Sequence, residues 1–114
     1  LKQRIKTASF DTGSTLTLAR SEAIKRNSDV VITQASGGWQ NGWTVTNGGT
    51  TLSQQAAYTG ITITSPVTSL TYNNSGHLTG TASPTFEISD ANGASTRCIT
   101  VNLSGLPNSK LGTC

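Results

Sequence analysis

TLTLARSEAIKRN (residues 15–27) decides how this chain of 114 residues is read. Helix-favouring charged residues are interleaved with apolar ones at helical spacing, continuing a pattern already present in LKQRIK at positions 1–6. Projected at about 100° per residue, Leu1, Ile5, Ala8, Thr12, Leu16, Ala19 and Ala23 fall on one stripe. The spacing predicts an amphipathic helix over residues 1–26, packed by that stripe on a sheet. Small residues at 8, 12, 19 and 23 allow close approach. Gly13 weakens its middle by about 1 kcal/mol relative to Ala. The helix should stop near Asn27, which tolerates the left-handed conformation, with Lys25 and Arg26 complementing the dipole.

Phe10, Leu18 and Ile24 lie off the stripe, as do Lys2, Arg4, Lys6 and Arg20. Phe10 has two readings: packing under a loop of its own domain, or contact with a second partner. The pattern has no start signal in front of Leu1. That reads as the C-terminal half of a longer helix.

After the helix the periodicity changes to two. DVVITQA (29–35), WTVT (43–46), GITITS (60–65), SLTYN (69–73), HLTG (77–80), TFEIS (85–89) and TRCITVNL (96–103) read as strands. SGGWQNG, NGG, NSG and DANGA supply the turns, the last a hairpin. The tail SGLPNSKLGTC has turn chemistry and no periodicity. The expected fold is α+β: an N-terminal amphipathic helix packed on antiparallel sheet of about seven short strands. One domain spans 1–114, with the helix at 1–27 and a β-rich head at 28–114.

Composition agrees with this layout. Charged residues make up 11% and aromatics 5%, against 20 Thr and 14 Ser, a balance suited to short strands and polar turns. There is no run of 18 apolar residues and no apolar signal-peptide core in residues 1–20. Six of the eight basic residues behind the net charge of +3 sit early: Lys2, Arg4, Lys6, Arg20, Lys25 and Arg26 precede residue 27. Such a helix either meets phosphates or anionic lipid, or is a solvated face with Asp11 and Glu22 interspersed.

Cys98 and Cys114 read as a disulfide closing the tail in an oxidising compartment, contributing roughly 3 kcal/mol in the chain-entropy model. These two cysteines and the single His77 have no zinc-ligand spacing. No catalytic constellation, metal site or cofactor motif stands out, so no enzyme is expected. Ser75 and His77 are too close for a triad, and Glu87 with Asp90 reads as a solvated turn. Asn73 and Asn102 begin Asn-X-Ser tripeptides. Trp39 and Trp43 either cap the core at the helix–sheet junction or form an exposed platform for sugar or single-stranded nucleic acid.

Taken in order, LARSEAIKRN, VVI, GWQNGW, YNNSGHLTG and RCITVNLSGLP resemble the globular part of the GspH/FimT family of minor pilins and pseudopilins. The likeness covers nearly the whole chain and is nearest the FimU/FimT branch of type IV pili. The resemblance implies that a very hydrophobic helical half, anchoring in the inner membrane, precedes residue 1. It implies a subunit that passes from inner membrane and periplasm to the pilus tip. There it would join other minor pilins and the major pilin in a complex that primes assembly, supporting twitching motility, adhesion or DNA uptake. Phe10, Leu18 and Ile24 become candidate pilin–pilin contacts. Some FimT members bind DNA through a basic tail motif. At that place this chain has Leu106 and Asn108 instead of arginines, leaving Lys110, so DNA binding is the less favoured alternative. A GspH-like pseudopilin of type II secretion is the second alternative.

Overall fold

The computed structural model describes residues 2–79, 84–90, 95–102 and 104–114, with side chains from Ile5 onward. The expected core residue Leu1, the end of HLTG, the last four residues of DANGA and the end of TRCITVNL lie outside the described residues.

Helix α1 (Lys2–Arg26) runs unbroken through Gly13. Ile5, Ala8, Leu16, Ala19 and Ala23 are buried on one face. Thr12 is buried with them, and its hydroxyl donates to the Ala8 carbonyl one turn back (2.8 Å), so this polar member of the stripe supplies its own partner. The helix closes with a Schellman motif. Asn27 has φ 52°, its N–H donates to the Ile24 carbonyl, and the Ser28 N–H reaches back to the Ala23 carbonyl.

Among the described residues eight strands follow: β1 (Val30–Gln34), β2 (Trp43–Asn47), β3 (Thr50–Gln55), β4 (Ile61–Thr64), β5 (Ser69–Tyr72), β6 (Thr85–Asp90), β7 (Thr96–Val101) and β8 (Pro107–Leu111). They form two antiparallel sheets of four, ordered β3-β2-β1-β5 and β4-β6-β7-β8. Alternation decides which side faces inward. Val30, Ile32, Trp43, Val45, Leu70 and Tyr72 of the first sheet and Ile61, Ile63, Phe86, Ile88, Ile99 and Val101 of the second join the helix stripe in one core.

The two tryptophans seal the junction. Trp39 stands edge-on to Phe86 (centroids 5.0 Å) and its indole N–H donates to the Val67 carbonyl; the Trp43 N–H reaches the Thr15 hydroxyl on α1. With exposures of 3% and 4% they are core residues, not an exposed aromatic platform.

Three elements differ from the sequence reading. β3 and β8 are strands without apolar alternation, because both are sheet edges whose side chains stay largely in solvent. Pro107 opens β8, where the missing N–H costs no ladder bond, and Lys110 stands on that edge. The described part of HLTG, residues 77–79, forms no strand ladder: Leu78 makes an isolated bridge with Tyr72, and the Thr79 N–H donates to the Thr71 carbonyl. Asp90, expected in a solvated turn, is buried at the end of β6.

Candidate functional site on the outer face of the helix

With one face of α1 committed to the core, its opposite face carries large apolar side chains in solvent. Phe10 is 73% exposed and Leu18 37%. Between and beside them run Ser9, Gly13, Thr17 and Ser21, spaced four apart and therefore one ridge line of the helix. Because these residues are small, the line is a trough. Phe10, Leu18 and, from β8, Pro107 form its walls. The Ser9 hydroxyl is buried at its edge, with no hydrogen-bond partner among the described residues. A shallow groove with apolar walls along a helix has the shape that accepts the ridge of another helix.

Ile24 is placed differently from Phe10 and Leu18. Its side chain is 45% exposed, but its Cδ1 lies over Gly76, where an added Cβ would come within 2.7 Å. The loop holding Gly76 has a twin. In residues 73–77 the Asn73 side-chain oxygen accepts from the N–H groups of Ser75 and His77, and the Gly76 N–H donates to the Asn73 carbonyl. In residues 102–106 the Asn102 side-chain oxygen accepts from the Leu106 N–H, and the Gly105 N–H donates to the Asn102 carbonyl. The two loops abut through their glycines, beneath Ile24 and Arg20. The Tyr72 hydroxyl donates to the Gly105 carbonyl (2.8 Å) and the Arg20 Nε to the Ser104 carbonyl. Ile24 therefore serves partly as a lid over its own loops.

Among the described residues the basic side chains do not gather into one patch. Arg20 is turned onto its own loop, and Arg26 pairs with Glu22 at 2.8 Å. That hydrogen bond holds the Glu22 carboxyl below the usual carboxylate range. Lys110 is exposed on β8, in the cross-strand row that contains Cys98 and Glu87. Cys98 and Cys114 are bonded with Cα atoms 5.1 Å apart, and the Cys114 N–H donates to the Glu87 carboxylate, which lays the tail across the outer side of the second sheet. On the helix, Asp11 accepts a hydrogen bond from the Tyr58 hydroxyl. Burial, then that bond and the Asp11 charge, push the Tyr58 hydroxyl well above the usual phenol range.

Among the described residues no group of His, Cys, Asp or Glu could hold a metal, and no helix is long and apolar enough to cross a membrane. The off-stripe positions of Phe10 and Leu18 were visible in the helical projection. The row of small residues between them was present in the same projection and carried the missing half of the site.

The family model described as Type II transport protein GspH matches residues 11–105. Among solved structures, the type IV minor pilin FimU of Pseudomonas aeruginosa superposes with a TM-score of 0.81 at 19% identity, covering 97% of this chain and 90% of that one. A second crystal form of FimU gives 0.76 at 21% identity over 98% and 92%. The minor pseudopilin EpsH from the Type 2 Secretion System of Vibrio cholerae gives 0.70 at 16% identity over 96% and 97%. At these identities the likeness is one of fold. No curated protein matched the sequence significantly.

Proposed function

The chain belongs to the GspH family, and from that premise we propose that it is a minor pilin of a type IV pilus, a non-enzymatic subunit of the tip complex that primes pilus assembly. The observation that carries this reading is the outer face of α1. The small-residue trough along Gly13, Thr17 and Ser21, with Ser9 buried at its edge and Phe10 and Leu18 as walls, lies open in the single chain while the opposite helix face is used up by its own sheets. A neighbouring pilin helix would lay a ridge in the trough and cover Phe10 and Leu18. Fully burying such a side chain contributes about 1.5–3 kcal/mol. The partners are other minor pilins and the major pilin. The assembled position is the pilus tip, reached from the inner membrane.

DNA binding is the weaker reading. Affinity for phosphates needs clustered cations, whereas Lys110 shares its row with Glu87, and Arg20 and Arg26 have partners within the chain.

A photocrosslinking amino acid placed at Phe10 in cells that assemble pili tests the proposal. Adducts with other pilins are expected. Adducts with type II secretion pseudopilins alone would move the chain to the secretion role. Adducts absent at Phe10 but present at Thr100, on the far sheet, would remove the helix face as the interface.

A further inference from the structure

No Asp, Glu, Lys or Arg stands between Asp29 and Glu87, so the whole first sheet is free of formal charge. A solvated surface normally carries both signs freely interspersed. This one carries hydroxyls and amides instead. On its outer side Thr33, Thr44 and Gln54 stand in one cross-strand row, one from each of β1, β2 and β3. At the end of that row the surface sinks into a groove bounded by Asn41, Gln55 and Ala56. The groove is held by backbone: the Ala35 N–H donates to the Gly42 carbonyl, and the Tyr58 N–H to the Gln40 carbonyl. Gly42 has φ 103° and the end of β3 crosses it so closely that a methyl there would run into the Gln55 carbonyl oxygen. The crossing requires glycine, and it fixes the groove in shape.

We propose that this groove is a binding site for an uncharged oligosaccharide. Thr hydroxyls and Asn and Gln amides each donate and accept, matching the mixed donor–acceptor hydroxyls of a sugar. An anionic or cationic ligand would lose its hydration here and find no counter-charge. The Asn41 and Gln55 amide nitrogens already donate to the Ser36 and Ala56 carbonyls, which holds their side-chain oxygens in place, and a purely apolar ligand would cover those oxygens and the Thr hydroxyls without a partner. Ala35 and Ala56 provide apolar lining for the C–H faces of the rings. The site lies on the sheet face directed away from the core that α1 covers. It stays open when the outer helix face is occupied, and it does not rest on the pilin reading.

The test is a backbone and side-chain amide NMR titration of the whole chain with chitotetraose, cellotetraose and maltohexaose, each to about 20 mM, the range that detects millimolar binding. Tetragalacturonate and single-stranded DNA serve as charged probes. Saturable shifts confined to Asn41, Gln54, Gln55 and the Thr33–Thr44 row with at least one uncharged sugar are expected. Gln54→Ala, on an exposed edge strand, should weaken them about tenfold, and Thr33→Val, which keeps the shape, should weaken them as well. No shift with any of the three sugars overturns the proposal. So do shifts elsewhere on the chain, a stronger response to a charged probe, or shifts untouched by both substitutions.

Discussion

The Tyr58 hydroxyl donates a 2.7 Å hydrogen bond to Oδ2 of Asp11, across 47 residues of sequence. It ties the loop behind β3 to α1 one residue from the exposed Phe10, and Tyr58 also stacks obliquely on Trp43. Tyr58→Phe keeps the ring and removes the bond. It should lower unfolding stability by about 1 kcal/mol. Urea titrations of the single variants and of the double variant with Asp11→Ala check this. A double variant no worse than either single one is expected, whereas additive losses would mean the two groups act separately.

Both tyrosines hold their protons more tightly in the folded chain than an exposed phenol does. Tyr58 is raised by burial first and then by Asp11. Tyr72 is raised by burial, with Arg20 acting the other way. Below about pH 10 both phenols are protonated in the folded and unfolded states alike. Above that pH the unfolded chain loses protons that the folded chain retains, so stability must fall as pH rises. Thermal melts between pH 8 and pH 11 should show a plateau and then a decline, less steep in Tyr58→Phe. Unchanged melting at the upper end would contradict the burial of these hydroxyls.

The paired loops make a sharp demand on Gly105. It has φ 88°, and a Cβ there would meet the Gly76 carbonyl oxygen and sit 2.6 Å from the Tyr72 ring. Gly105→Ala should cost more than 2 kcal/mol, from combined strain and displacement of a buried ring. Gly48→Ala, with positive φ but open space, is the control and should cost about 1 kcal/mol. Equal losses in a denaturation series would show that the loop–loop contact is slack.

Reducing the Cys98–Cys114 bond frees the tail and releases the Cys114 N–H from Glu87. A loss of about 3 kcal/mol is expected for a loop of this length. Denaturation with and without reductant reads the energy, and mass measurement of unreduced protein should show two hydrogens fewer than the dithiol form. Two alkylatable thiols in unreduced material would contradict the bond.

Much of this architecture was legible because burial imposes a period. The stripe from Ile5 to Ala23 and the alternating Ile61–Ile63 pair have one face against the core, and that leaves a repeating trace. β3 and β8 left none, since edge strands in solvent are fixed by backbone pairing, which any polar side chain permits. Phe10 and Leu18 could be placed outside the core by the helical projection alone. The cover that Gly76 gives Ile24 could not, because it depends on two loops meeting from distant parts of the chain. Thr15 and Ser9 carry no periodic signal, and Gly13 registers in the sequence only as a weak point of the helix, yet Thr15 anchors Trp43 and the other two shape the trough.

The most direct test of the helix-face interface uses Gly13 and Phe10 together. An added methyl at Gly13 meets nothing within 4 Å in the single chain, so Gly13→Ala should stabilise the isolated domain by about 0.5–1 kcal/mol. Gly13→Leu should fold comparably well but fill the trough, and Phe10→Ser should remove one wall with little effect on folding. Pull-down of partner minor pilins, run beside thermal melts of the same proteins, separates the two effects. The account predicts wild-type or better melting for Gly13→Leu and Phe10→Ser with association reduced at least tenfold; undiminished association by both stably folded variants would contradict it.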